Sequence, residues 1–103
     1  MTRTVRVAAI QMAFTGDRAT DIAATAARVS EAAAQGAQII LPSELFEGHY
    51  FCTSQDEAHF ASAAPVESHP SVLAMQKVAR EEGVFIPTTF FERDGHHNYN
   101  SQA

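Results

Sequence analysis

Apolar and polar residues follow different rhythms along the chain, and the changes of rhythm divide it into elements. Residues 4–12 (Thr-Val-Arg-Val-Ala-Ala-Ile-Gln-Met) are β-branched or apolar at most positions, the mark of an inner strand covered on both faces. Thr15-Gly16-Asp17 breaks this run. From residue 18 to 35 the period is helical: Ile22, Ala26, Val29 and Ala33 fall on one side, and Asp21, Thr25, Arg28 and Gln35 on the other. Asp17 or Thr20 suits the start as a cap, and Gly36 stands where a left-handed C-terminal cap belongs. The many alanines favour helix and allow close approach to a sheet.

Residues 38–41 form a short apolar run stopped by Pro42, which predicts a buried strand. The stretch 43–68 keeps no period and predicts a long loop, with one turn of helix near residues 56–60. Its aromatics Phe46, Tyr50, Phe51 and Phe60 argue for order, and ordered loops of such length are commonly functional. A second helix is predicted over 70–82, with Pro70 in its first turn and Gly83 at its end. Residues 84–92 predict a strand in which Pro87 marks a bulge or an unpaired donor position. Asp94-Gly95 signals a hairpin, so residues 97–102 return antiparallel. Strands alternating with helices imply right-handed crossovers in an α/β fold: a mixed sheet with two helices and an antiparallel hairpin.

Composition narrows the picture. The chain has 103 residues, enough for one core and no second domain. Apolar residues are 46% of it, but 19 are alanine. Net charge is −5, with seven scattered basic residues, which excludes the clustered cations of a nucleic-acid surface. No apolar run approaches the roughly 20 residues of a membrane span. Arg3 and Arg6 are followed by no signal-peptide core, so a cytoplasmic location is expected. The single cysteine, Cys52, excludes an internal disulfide framework and a Cys-rich zinc site.

Ligands of open α/β sheets gather beyond the carboxyl ends of the strands. Glu44 follows Ile39-Ile40-Leu41 by three residues and opens the loop Glu44-Leu45-Phe46-Glu47-Gly48-His49-Tyr50-Phe51. A carboxylate partly desolvated between Leu45, Phe46 and the strand end suits a general base; a solvated loop acid is the plainer alternative. His49, His59 and His69 are too widely spaced to share a helix face, and the adjacent His96 and His97 point to opposite faces of a strand, so no metal is expected. Cys52 reads as a small buried apolar residue rather than a nucleophile, and Lys77 as a solvated surface charge. No phosphate-binding glycine loop and no C-x-x-C pair occurs.

Several of these pieces match one family. Val5-Arg6-Val7-Ala8-Ala9-Ile10-Gln11-Met12 resembles the opening strand of the nitrilase superfamily of carbon–nitrogen hydrolases. The Ala-rich helix closed by Gly36-Ala37 resembles its next element, and Ile39-Ile40-Leu41-Pro42-Ser43-Glu44-Leu45-Phe46 its first catalytic motif. Tyr99-Asn100-Ser101 looks like its next strand. Within the superfamily, the segment from Glu44 to Cys52 looks most like the N-carbamoylputrescine amidases.

The resemblance implies part of an α-β-β-α sandwich, with residues 1–103 as the N-terminal portion of one hydrolase domain. It implies a Glu, Lys and Cys catalytic set in which Glu44 is the base for the thiol and for the water that resolves the acyl-enzyme. The lysine and cysteine belong to later motifs, so Lys77 and Cys52 are not carried over, and the 103 residues alone are expected to be inactive. Glu47, Tyr50 and Phe51 are implied to line a substrate pocket, where an acid and aromatics suit an aliphatic diamine with a cationic end; ordinary loop packing is the alternative for all three. The implied partner is a small amide or carbamoyl substrate, with no cofactor, and a homo-oligomer is expected of the whole protein. Another amidase of the superfamily, or a non-catalytic α/β module that binds a partner, is the competing reading.

Overall fold

The computed structural model describes residues 2–103. Strand β1 (Val7–Ala9) pairs in parallel with β2 (Ile39–Leu41), placing Val7 opposite Ile39, Ala8 opposite Ile40 and Ala9 opposite Leu41. Helix α1 (Arg18–Ala34) makes the crossover between them, and helix α2 (Pro70–Glu82) packs beside it. On the other side of β2, Phe85 forms a parallel bridge with Ile39, through hydrogen bonds from Phe85 N to Gln38 O and from Ile40 N to Phe85 O. Strands β3 (Thr89–Asp94) and β4 (His97–Gln102) form the expected antiparallel hairpin.

Strand positions alternate in direction, so the sheet has one covered and one bare face. Ala8, Ile40 and Ile86 join Val29, Phe46, Met75 and Val78 in the core beneath the helices. Val7, Ile39, Leu41 and Phe85 face out, with Val7 66% and Phe85 74% exposed. This corrects the expectation of a first strand covered on both sides: in this chain one layer of helices covers one face. The regular strand is also shorter than residues 4–12, because only the stretch beside β2 finds ladder partners.

Helix α1 turns Ile22, Ala26, Val29 and Ala33 to the core and leaves Arg28 and Gln35 exposed, as predicted, but departs from its predicted facing at Asp21 and Thr25. Asp21, Thr25 and Val29, at four-residue spacing, are its buried residues, whereas Asp21 and Thr25 read as outward in the sequence. Each finds its hydrogen bonds internally, which removes the usual cost of burying a polar group. Asp21 accepts from Thr15 N (2.8 Å), Thr15 Oγ1 (2.9 Å) and Gly16 N (3.0 Å), and the Thr25 hydroxyl donates to Asp21 O (2.9 Å). Burial pushes the Asp21 carboxyl up, but these donors from Thr15 and Gly16, with the charge of His49, outweigh it and leave it lowered. Asp17 caps the helix by accepting from Thr20 N, as predicted. Gly36 follows at φ +93°, with the Arg6 guanidinium lying across it and donating to Gln35 O at 2.6 Å.

Helix α2 begins and ends as predicted, with Pro70 in the first turn and left-handed Gly83 after the last. The predicted strand over 84–92 is divided. Residues up to Phe85 serve the parallel sheet, and the regular hairpin strand starts at Thr89. Pro87 lies between, where its missing N–H interrupts no ladder. The loop 43–68 holds two 3₁₀ turns, Phe51–Thr53 and Glu57–Ser62, the second overlapping the turn expected at 56–60. Its end joins the hairpin, with Ala64 N donating to Phe91 O and Arg93 N to Ala64 O.

Candidate active site

Beyond the carboxyl end of β2 the chain turns through residues 44–47. Leu45 and Phe46 are buried and anchor the turn to the core. Leu45 adopts φ +50°, a left-handed conformation disfavoured for a branched side chain. Its N–H donates to Thr89 Oγ1 at 2.9 Å, so burial and this hydrogen bond together hold the strained geometry. The turn sends its two acids in different directions.

Glu44 points outward and is exposed, not partly desolvated as the sequence implied. The apolar residues after it turn into the core and leave its carboxylate at the surface. One oxygen, Oε1, accepts from Asn100 Nδ2 at 2.7 Å, so a residue of β4, 56 positions away, fixes its orientation. The other oxygen is left for a proton or a water. Tyr50 is exposed close by. Its hydroxyl is pushed above its ordinary value by hydrogen bonding to the Cys52 thiol, by the charge of Cys52 and by that of Glu44. The Tyr50 hydroxyl therefore stays protonated. Cys52 is exposed, correcting its reading as a buried apolar residue.

Glu47 points inward. Arg18, the first residue of α1, approaches it through Nε (3.3 Å to Oε2) and Nη2 (3.3 Å to Oε1). The Ser71 hydroxyl, in the first turn of α2, donates to Oε2 at 3.2 Å. His69 is fully buried at the N-cap of α2, where its Nδ1 accepts from Ser71 N at 3.2 Å. That acceptor role puts the proton on Nε2, and Nε2 lies 3.8 Å from Glu47 Oε2. This separation is too long for a hydrogen bond, and among the described residues Nε2 has no other partner. Burial, the largest influence, lowers the His69 pKa; the Glu47 charge works against it and the Arg18 charge with it. The ring is neutral near pH 7.

A cavity of about 580 Å³ opens under this loop, lined among others by Arg18, Glu47, His49, Tyr50, Phe51 and His59. All three residues implied to bind substrate meet there, and Glu44 is not among its lining residues. Tyr50 connects the two places, lining the cavity while sensing the charge of Glu44. Phe51 also packs on His59 and Phe91, with ring centroids 5.1 and 5.0 Å apart. Among the described residues no group of three or more His, Cys, Asp or Glu side chains is arranged to hold a metal ion. Lys77 is exposed on α2 beside Glu81, as predicted.

The model of the family Carbon-nitrogen hydrolase matches residues 6–103. The chain belongs to the carbon–nitrogen hydrolase family. It is 48% identical over 101 residues to N-carbamoylputrescine amidase of Arabidopsis thaliana and 51% identical over 102 residues to that of Solanum lycopersicum. Each match covers 98% of this chain and 34% of the relative. A citrullinase of Francisella tularensis is 35% identical over 99 residues, covering 96% of this chain and 35% of its own. The crystal structure of a carbon–nitrogen hydrolase from Helicobacter pylori G27 superposes with a TM-score of 0.83 at 22% identity, over 95% of this chain and 34% of that one. The chain thus spans about a third of the length of its relatives, and its α/β fold is that of the corresponding third of a carbon–nitrogen hydrolase.

Arg18, His69, Ser71 and Asn100 are the site-forming residues that sequence reasoning missed. For His69 a signal was present, because Pro70 in a first turn makes residue 69 the cap. Asn100 had no local signal. Only the hairpin register brings it to Glu44.

Proposed function

We propose that this chain is the N-terminal portion of an amidase that hydrolyses N-carbamoylputrescine to putrescine, ammonia and carbon dioxide, with Glu44 as its general base. The observation that carries the role of Glu44 is its placement: an exposed carboxylate past the end of β2, with one oxygen held by Asn100 and the other free. A base needs such a fixed carboxylate within reach of the proton it takes. In the proposed reaction Glu44 takes the proton of a cysteine thiol, whose sulfur attacks the carbamoyl carbon and expels the amine. The leaving amine takes that proton as it departs; Glu44 then deprotonates the water that attacks the carbamoyl-enzyme and returns the proton to the departing thiolate, and the carbamic acid released breaks down to ammonia and carbon dioxide. A lysine stabilises the oxyanion at both stages. Neither Cys52 nor Lys77 is assigned to these roles, and the 103 residues alone are expected to release no ammonia from the substrate.

The substrate rests on the relatives named N-carbamoylputrescine amidase, at 48–51% identity. Tyr50 and Phe51, in the loop that follows the base, are proposed to form the aromatic wall of its pocket. The citrullinase at 35% identity favours a second reading, in which the carbamoyl group is carried by an amino acid. The test is ammonia release by the whole protein from N-carbamoylputrescine and from citrulline. A preference for the first supports the reading and a preference for the second replaces it. Glu44→Gln is expected to lower kcat by roughly 10²–10⁴-fold, the ordinary contribution of a general base. Full activity in that variant would remove Glu44 from the chemistry.

A further inference from the structure

Glu47 stands three residues after the proposed base, and its surroundings are those of a structural hub. Its side chain is 12% exposed. Arg18 engages both oxygens, Ser71 donates to one, and Nε2 of buried His69 lies 3.8 Å from the same oxygen without bonding to it. These partners come from the starts of two different helices. Arg18 also donates to Ser62 O at 3.2 Å, which adds the end of the second 3₁₀ turn. The starts of two helices therefore meet at one carboxylate, and Arg18 ties the 3₁₀ turn to the same place. The two-pronged Arg pairing adds directional constraint.

The charge balance bears on specificity. An acid meant for the cationic end of a diamine needs an uncompensated negative charge, whereas Glu47 already faces the Arg18 guanidinium. A substrate ammonium in its place would have to displace the Arg18 guanidinium and give up the Ser71 hydrogen bond geometry that the present pair shares. The same turn holds Leu45 in its left-handed conformation, a geometry that persists only where its surroundings enforce it.

We propose that Glu47 is a positioning residue: with Arg18 and Ser71 it clamps the 44–47 turn to the N-terminal ends of both helices and so holds the backbone from which Glu44 reaches Asn100. This deepens the amidase reading and rests on Glu44 as base. It also removes Glu47 from the substrate ligands, leaving the recognition of a cationic end to groups elsewhere in the whole protein.

The experiment compares the whole protein with its Glu47→Gln variant on two carbamoyl substrates of equal length, one ending in an ammonium and one in a methyl group. A clamp predicts that kcat falls by about tenfold or more for both, since small misplacements of a reacting group are costly. The preference between the two substrates stays unchanged. A rise in KM confined to the ammonium substrate would overturn the proposal and make Glu47 the ammonium subsite. Hydrogen exchange of the 44–50 amides is read in parallel: faster exchange in the variant supports the clamp, and unchanged exchange overturns it. If Glu47→Gln does not fold, Ser71→Ala removes one donor while keeping the Arg18 pair, and is put through both measurements. If the unsubstituted protein hydrolyses neither substrate, the amidase reading fails, and the exchange measurement still decides the clamp.

Discussion

Asn100 is the residue on which the reactivity of Glu44 most directly depends. A hydrogen bond to a carboxylate is worth about 1.5–3 kcal/mol, and here it also selects one orientation of a side chain that is otherwise free in solvent. Asn100→Leu removes the donor and is expected to lower kcat of the whole protein by about tenfold, with little change in KM. Steady-state kinetics against Glu44→Gln checks this, and an unchanged kcat would mean that Glu44 is oriented by another group. Leu45 is the other residue whose geometry matters here. Its positive φ turns the chain sharply after Glu44, so that two neighbouring apolar side chains bury while the acid before them stays out. Glycine is the usual solution to such a backbone. A leucine there gives up conformational ease for burial.

At the level of elements, the start of α2 is both a cap and a switch point for pH. His69 caps through neutral Nδ1 and faces Glu47 and Arg18 from the loop and from α1. Its folded pKa lies below the ordinary 6.5, so the folded state disfavours protonation more than the unfolded chain does. The associated stability is complete above pH 6.5 and is lost as the pH falls from there through the folded pKa. Thermal unfolding of the whole protein followed from pH 7.5 downward is expected to show Tm falling below about pH 6.5. His69→Asn keeps a capping acceptor and removes the titration, so its curve is flatter over that range. Equal slopes for the two proteins would show that His69 does not carry the effect. At the other end of the helix Gly83, at φ +65°, closes α2 with its N–H on Ala79 O, a job the sequence position alone assigned to it.

For the molecule as a whole, the one-sided covering of the sheet dominates its behaviour. Val7, Ile39 and Phe85 lie side by side across β1, β2 and the bridge at Phe85, with Leu41 two residues further along β2, and all are exposed. Apolar surface gathered into one patch drives association, whereas the same residues scattered singly do not. The 103-residue chain by itself is therefore expected to self-associate in a concentration-dependent way in analytical ultracentrifugation. Val7→Lys combined with Phe85→Lys should shift it toward monomer, because both charges enter the patch without touching the core beneath the helices. A chain that is monomeric at all concentrations before substitution would show that this face is not adhesive.

Much of the fold was legible in the order of residues alone. Helical periodicity, the Asp17 cap, Pro70 and Gly83 around α2 and the Asp94-Gly95 turn are local signals, each set by backbone sterics or hydrogen bonds within a few residues, and each sits where it was expected. The position of Glu44 beyond a strand end was legible for the same reason. The three-dimensional packing decided what no local rule encodes. It turned Asp21 and Thr25 inward by giving them internal partners, and it left one sheet face bare by supplying a single layer of helices. It also brought Asn100 to Glu44 across 56 residues and surrounded Glu47 with Arg18, His69 and Ser71. A carboxylate's residue type states only that it can carry charge. Whether that charge is free for chemistry or already held is decided by which distant donors the fold delivers to it.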